Sequence, residues 1–123
     1  MPKHGSRKRY RPAGAKGAHA EVGVVTLDDY RQHVGRVITF EGEVRRVLSS
    51  QRGTDYAVMF EDRGWTRGLK MVVFQGDVGR IGGAPFVSSL RGHRVRVRGL
   101  MALHETYGYE IIVSDPAMIL SVQ

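Results

Sequence analysis

The sequence predicts a single all-β domain that follows a short basic arm. From Arg36 onward, apolar and polar residues alternate over several short segments, which is the period of half-buried strands. Gly-, Pro- and Ser-containing stretches separate these segments, and 123 residues suffice for one domain. The first twenty residues hold six Lys and Arg and no acidic residue, so the net charge of +7 belongs mostly to the arm. We therefore expect an arm over residues 1–20 and a domain over residues 21–123.

A short helix is expected to open the domain. Thr26 is a suitable N-cap, Asp28 and Asp29 occupy the first turn, where the helix dipole favours carboxylates, and Gly35 can end the helix. After this helix, apolar residues recur at every second position, as they do in a strand. The five strands expected from this alternation cover residues 37–47, 56–60, 69–74, 93–103 and 109–114. The connection over residues 76–92 contains Gly and Pro, and one helical turn is expected near its end.

Five strands with the longest connection between the third and the fourth are the layout of an OB-fold, a five-stranded Greek-key barrel. Gly42 and Gly99 lie in the first and fourth strands, where a small barrel must bend sharply or form a bulge. An SH3-like barrel or a split sandwich would give a similar string of strands. Both remain alternatives to the OB-fold.

Four segments carry a family resemblance: residues 33–44 (HVGRVITFEGEV), 69–74 (LKMVVF), 90–99 (LRGHRVRVRG) and 110–119 (EIIVSDPAMI). They resemble strands of small bacterial OB-fold nucleic-acid-binding domains, the broad class that includes anticodon-binding and single-strand-binding modules. The resemblance implies binding of single-stranded DNA or RNA in a groove across the second and third strands. The chain departs from the class between the fourth and fifth strands, where Ala102, His104 and Glu105 replace the basic residues often found there.

An OB-fold groove needs positive charge for the phosphates and aromatic faces for the bases. Three groups of residues fit this description: Arg45, Arg46 and Arg52; Arg63, Trp65 and Arg67; and His104, Tyr107 and Tyr109. Each group has a simpler alternative. The first can be a solvated turn, Trp65 can fold back to plug one end of the barrel, and the two tyrosines can cover the barrel mouth.

The most conspicuous basic alternation is expected to be structural. In the OB topology the first and fourth strands pair antiparallel, so Arg94, Arg96 and Arg98 would face the outward side chains of Glu41 and Glu43. Opposite charges across two strands stabilise a sheet by roughly 0.2–1 kcal/mol each.

The arm is expected to be disordered in isolation and to track a phosphate backbone. An aromatic residue is interleaved with the charges of its basic cluster and could stack on a base. The cluster consists of Arg7, Lys8, Arg9, Tyr10 and Arg11. A solvated tail without a partner is the alternative.

Little in the sequence favours an enzyme. The five histidines are scattered and there is no cysteine, so neither a metal site nor a cofactor is expected. No apolar run approaches the roughly 18 residues of a membrane span, and we expect a soluble cytoplasmic protein. The sequence thus predicts a non-enzymatic protein that binds single-stranded or unpaired nucleic acid, either alone or as part of a larger nucleoprotein complex. The alternatives are a protein-interaction module whose basic tail docks on a ribosome or an acidic partner, and, last, a small nuclease.

Overall fold

The computed structural model describes residues 23–123. The predicted arm, with Arg7, Lys8, Arg9, Tyr10 and Arg11, lies outside the described residues. The described part is mostly β-structure with few helices. Its strands are β1 (Val24–Val25), β2 (Val37–Glu43), β3 (Arg46–Ser49), β4 (Tyr56–Met59), β5 (Lys70–Val73), β6 (Arg94–Leu100), β7 (Ala102–His104), β8 (Gly108–Ile112) and β9 (Ile119–Val122). Its α-helices are α1 (Gln75–Ile81) and α2 (Ala84–Ser89), and 3-10 helices cover Tyr30–His33 and Pro116–Met118.

The strands form two sheets, which we call sheet 1 and sheet 2. Sheet 1 has the order β1-β2-β6-β9, and sheet 2 has the order β3-β4-β5-β8-β7. The neighbours are antiparallel except for two parallel pairs, β1 with β2 and β5 with β8. The chain passes from sheet 1 to sheet 2 twice, at Val44 and Arg45 after β2 and at Met101 after β6. Both sheets therefore share long chain segments and enclose one core.

The core lies between the sheets and follows the predicted alternation. Ile38, Phe40 and Val44 are buried along the first predicted strand, as are Val95 and Val97 along β6. The rings of Phe40 and Phe60 meet with centroids 4.7 Å apart. Alternate residues of sheet 2 complete the core: Val58, Met71, Val73 and Ile111.

The predicted opening helix is a single 3-10 turn. The expected capping by Thr26 is present, because Thr26 Oγ1 accepts from Asp28 N at 3.2 Å and Asp29 Oδ1 accepts from Thr26 N at 3.0 Å, the reciprocal bonds of a capping box. Gly35, with φ of 91°, follows and allows the sharp entry into β2.

The connection before β6 holds two helices where the sequence predicts one helical turn. Two glycines lower the helix propensity of α1, so the local sequence pattern does not predict this helix. Tertiary packing restores it, because Ile81 of α1 and Val87 of α2 are buried in the core. The first predicted strand is also divided, since Arg45 N donates to Met59 O at 2.8 Å where the chain changes sheet.

The two strand glycines lie at close side-chain contacts. A Cβ on Gly42 would lie 2.9 Å from the Phe40 ring, and one on Gly99 would lie 2.7 Å from Ile111 Cγ2. The chain changes sheet two residues after each glycine, at Val44 and at Met101.

The basic alternation of β6 is structural, as predicted. The register places Glu41 opposite Arg96 and Glu43 opposite Arg94. Glu41 accepts from Arg94 Nε at 2.6 Å through Oε2 and from Arg96 Nη2 at 2.6 Å through Oε1. Arg98 donates to Thr39 Oγ1 at 2.8 Å. Glu41 thus holds two arginines, which removes them from the candidate binding residues.

Replacing Glu41 with glutamine is expected to lower the free energy of unfolding by about 1 kcal/mol at neutral pH. Burial opposes ionisation of Glu41, but hydrogen bonds from Arg94 and Arg96 outweigh it and hold the pKa of this carboxyl below its usual value. A depressed folded-state pKa gives stability that is present above the unfolded-state pKa and is lost as pH falls through the folded-state pKa. Urea unfolding should therefore show a wild-type advantage at pH 7 that shrinks in acid.

Glu43→Gln is the matched control, since Glu43 is half-exposed and its nearest cation, Arg45 Nη1, is 3.9 Å away. Its effect should be smaller than that of Glu41→Gln. Equal effects of the two substitutions would contradict a specific role for the Glu41 pairs.

Candidate nucleic-acid interface

Two loops meet over the outer face of sheet 2 and bring three rings together. The Trp65 loop, residues 61–68, joins β4 to β5, and the Tyr107 loop, residues 105–107, joins β7 to β8. Trp65 and Tyr107 stack with centroids 5.1 Å apart and planes inclined by 27°. His104 contacts the same tyrosine at 4.7 Å and 33°. We call Trp65, Tyr107 and His104 the aromatic stack. It joins two groups that the sequence analysis treated separately.

The aromatic stack lies at the surface. Trp65 is 47% exposed and Tyr107 is 40% exposed, and His104 is exposed as well. The alternative in which Trp65 plugs the end of a barrel therefore does not describe this structure. Tyr107 contacts both other rings, so Trp65 and His104 are the members with more ring surface left for a further partner.

A close backbone contact fixes the two loops against each other. Gly108, the first residue of β8, has φ of 76°, and a Cβ at this position would lie 2.5 Å from the Thr66 carbonyl oxygen. His104 then shapes the Tyr107 loop, because its Nδ1 accepts from the amides of Thr106 at 3.0 Å and Tyr107 at 3.1 Å. In this arrangement Nδ1 carries no proton. The ring that joins the aromatic stack therefore also holds the turn.

The base of the Trp65 loop is fastened to the 3-10 helix Tyr30–His33. Glu61 Oε1 accepts from Leu69 N at 2.9 Å and from the Tyr30 hydroxyl at 3.0 Å. Tyr30 is fully buried, and this burial, together with the hydrogen bond to Glu61 and its charge, raises the pKa of Tyr30 to about 12. The loop that carries Trp65 is thus held at its first residue as well as by Gly108.

Tyr109 packs on the domain and does not join the aromatic stack. Its ring meets Tyr30 edge to face with centroids 5.1 Å apart. The guanidinium of Arg31 lies 5.6 Å from the Tyr109 centroid and 5.0 Å from the Tyr30 centroid. Arg31 is an exposed cation that no sequence pattern marks as a binding residue, because it falls in the predicted opening helix. Only the fold places it against two rings that are distant in sequence.

The five predicted arginines are distributed over four places. Arg63 and Arg67 lie in the Trp65 loop, and neither is in an ion pair with another of residues 23–123. Arg46 begins β3 and is in register with Met59, which is itself in register with Lys70. Arg45 and Arg52 are further apart, at the change of sheet and in the turn before Thr54. The structure therefore brings Arg63 and Arg67 to the aromatic stack, but does not gather Arg45, Arg46 and Arg52 into one cluster.

An apolar row crosses the same face of sheet 2. The register joins Leu48 to Ala57, Ala57 to Val72 and Val72 to Ile112. Ile112 is 41% exposed, and Phe74, at the end of β5, is 45% exposed. The alternation of apolar and polar residues within each strand shows that these residues share a face of their own strand. Only the register between strands shows that they form one row.

Two further findings concern residues 23–123 alone. Neither α1 nor α2, nor a 3-10 helix of this part, has the length and apolar character needed to cross a membrane. No group of three or more His, Asp and Glu side chains in the same residues is arranged to hold a metal ion.

Comparisons with known proteins add little to this picture. No protein-family model matches the chain, and no curated protein matches it. Among solved structures, the chain is similar to one described as "Crystal structure of a putative aspartyl-tRNA synthetase from Leishmania major Friedlin", with a TM-score of 0.48 and 10% identity. The similarity covers 75% of this chain and 19% of that chain. We therefore base the function on the residues of this chain.

Proposed function

We propose that this domain is an OB-fold that binds single-stranded or unpaired nucleic acid without catalysis. The single observation that carries the proposal is the stacking of a half-exposed Trp65 on Tyr107, beside Arg63 and Arg67. Exposed rings beside unpaired cations are what a single strand needs, because bases stack on the rings and phosphates pair with the cations. The basic arm would add backbone contacts that do not read sequence.

The strand connections support the OB-fold. If β2 with β3 and β6 with β7 each count as one bent strand, and the edge strands β1 and β9 of sheet 1 are set aside, five strands remain. Their order in sheet 2 is first, second, third, fifth and fourth, and the fourth pairs again with the first through β6 and β2 in sheet 1. The third and fifth are the parallel pair, β5 with β8. This order is what a five-stranded Greek-key barrel requires, and the outer face of its second and third strands is where such folds bind single strands.

The position of the aromatic stack supports nucleic acid as the ligand. It lies over that outer face, on the loops that flank β5 and β8. Base stacking on an aromatic side chain contributes roughly 1–3 kcal/mol per base, whatever the base. Since Tyr107 already contacts two rings, a base would add to Trp65 or to His104 and extend the stack.

A protein-interaction module is the second candidate, and the apolar row favours it. Phe74 and Ile112 expose large apolar side chains on the face that a nucleic-acid strand would cross. Apolar surface of this kind is common where proteins dock. The two candidates differ in their prediction for Trp65, which only the first requires for oligomer binding.

The test is fluorescence anisotropy of labelled single-stranded DNA and RNA oligomers over a salt series. Trp65→Ala is expected to lower affinity by about 5- to 100-fold, equivalent to roughly 1–3 kcal/mol. Leu120→Ala is the matched control, because it removes an equally exposed large apolar side chain from β9 of sheet 1, away from sheet 2, and it should change affinity less than twofold. Deleting residues 1–20 should lower the log–log salt slope by about 0.7 for each phosphate that the arm neutralises in the wild-type complex.

Two results would contradict the proposal. One is wild-type affinity in a variant with alanine at Arg63, Trp65 and Arg67 together. The other is complete loss of binding when residues 1–20 are deleted, since the domain would then contribute no groove. In either case the apolar row would become the surface to study, with a protein as its partner.

A further inference from the structure

One lysine in the domain is placed where lysines are rarely found. Lys70 is the single lysine of residues 23–123, and it is 1% exposed. Fully buried lysines are rare, because removing an ammonium from water costs several kcal/mol unless polar groups surround it. The Lys70 side chain therefore needs an explanation in terms of what it binds.

Three carbonyl oxygens surround the Lys70 ammonium. Nζ donates to Gly68 O at 3.3 Å, to Tyr107 O at 2.5 Å and to Tyr109 O at 3.1 Å. An ammonium has three protons, and three acceptors use all of them. Gly68 ends the Trp65 loop, whereas Tyr107 and Tyr109 lie on either side of Gly108. One charged group thus ties together the two loops that supply the aromatic stack.

The surroundings of Lys70 suit a charged group that stays in place. Burial lowers the pKa of Lys70, and the carboxylate of Glu110 opposes that shift. Glu110 is itself buried and lies in register with Lys70 on the neighbouring strand β8. An apolar side chain would remove the donor of all three hydrogen bonds, and each such bond typically contributes about 1 kcal/mol or more.

We infer that Lys70 is a positioning residue for the proposed ligand site, acting through Trp65 and Tyr107 without touching the ligand. The inference rests on the proposed function. Its ammonium sets the separation of the Trp65 loop and the Tyr107 loop, and so keeps the two rings stacked before a base arrives. A preassembled stack binds more tightly, because less side-chain and loop freedom is lost on binding.

A double-mutant cycle tests this inference. Wild type, Lys70→Met, Trp65→Ala and the double variant are titrated with a labelled single-stranded oligomer, and near-UV circular dichroism of Trp65 reports the ring packing. Lys70→Met is expected to lower affinity at least fivefold and to change the Trp65 signal. Its salt slope should equal that of wild type, because Lys70 contacts no phosphate. In the Trp65→Ala background the same substitution should cost less than twofold.

Controls separate positioning from general stability. Val58→Ala deletes two buried methyl groups on β4 from the inner side of sheet 2, so it should destabilise the fold without changing affinity at temperatures where it stays folded. If Lys70→Met does not fold, Lys70→Arg keeps the charge and the donors in a larger group. It should then bind within threefold of wild type once thermal unfolding shows it to be folded.

The outcomes distinguish the two proposals. The positioning role would be overturned if Lys70→Met lowered affinity equally in the wild-type and in the Trp65→Ala background. It would also be overturned if the log–log salt slope of Lys70→Met were smaller than that of wild type by the amount expected for one phosphate contact. Wild-type affinity in folded Lys70→Met, with binding abolished in Trp65→Ala, would also overturn it and leave the proposed function standing. Absence of binding by wild type would overturn the proposed function itself.

Discussion

Replacing Gly108 with alanine is expected to lower the free energy of unfolding by about 2–4 kcal/mol. Two effects add at this position. The backbone has φ of 76°, a conformation that costs a residue with a Cβ, and the new methyl group would lie 2.5 Å from the Thr66 carbonyl oxygen. Backbone atoms cannot move aside as the end of a flexible side chain can, so the two loops must separate. Urea unfolding measures the stability change.

Gly53→Ala is the matched control for this substitution. Gly53 has a similar φ of 71°, but a Cβ there has no atom within 4 Å. Its substitution should cost only the conformational part, about 1 kcal/mol. Gly108→Ala should in addition weaken oligomer binding, because it displaces Tyr107 from Trp65. Equal stability losses in the two variants would show that the contact with Thr66 has no energetic weight.

The second large effect is expected in alkali and depends on Tyr30. The pKa of this buried hydroxyl is raised from 10.0 to about 12 by burial and by its hydrogen bond to Glu61. A raised folded-state pKa gives stability that is fully present below the unfolded-state pKa and is lost as pH rises through the folded-state pKa. Wild type should therefore lose up to about 2 kcal/mol of stability between pH 10 and pH 12 from this residue alone.

Tyr30→Phe isolates that contribution. At pH 8 the variant should be less stable than wild type by about 1 kcal/mol, because the hydrogen bond to Glu61 is gone. As pH rises from 10 to 12, the free energy of unfolding should fall more for wild type than for Tyr30→Phe, so that the variant becomes the more stable of the two. Tyr107→Phe, which removes an exposed hydroxyl, should keep the wild-type pH profile. Parallel pH curves for wild type and Tyr30→Phe would contradict the role assigned to the buried hydroxyl.

Gly108→Ala and Tyr30→Phe both alter contacts that hold the aromatic stack in place. Gly108 and Lys70 fasten the Tyr107 loop to the Trp65 loop, and Tyr30 with Glu61 fastens the Trp65 loop to the start of the domain. The proposed ligand surface is therefore built on buried polar contacts whose removal can be measured without any ligand. Stability measurements therefore test these contacts independently of the binding measurements that test the proposed function.

The candidate site was only partly visible in the sequence. Trp65, Tyr107 and His104 could each be chosen because aromatic and basic residues in turn-rich segments are suited to binding. Their contact could not be foreseen, because Trp65 and Tyr107 are 42 positions apart and meet only when β5 pairs with β8. The role of Tyr109 was left open for the same reason, and its partner Tyr30 lies far from it in the chain.

The sequence by itself determined the β-rich class and the approximate positions of the main strands. These follow from a period of two within each strand, which is a local pattern. The pairing of Arg94 and Arg96 with Glu41 required in addition the assumption, taken from the OB topology, that the first and fourth strands are neighbours. Only the tertiary structure decided that Lys70 is buried under two loops and that the exposed rings form one stack. The reason is that these features depend on the register between distant strands and on carbonyl groups of the backbone, which every residue carries and which no sequence pattern can mark.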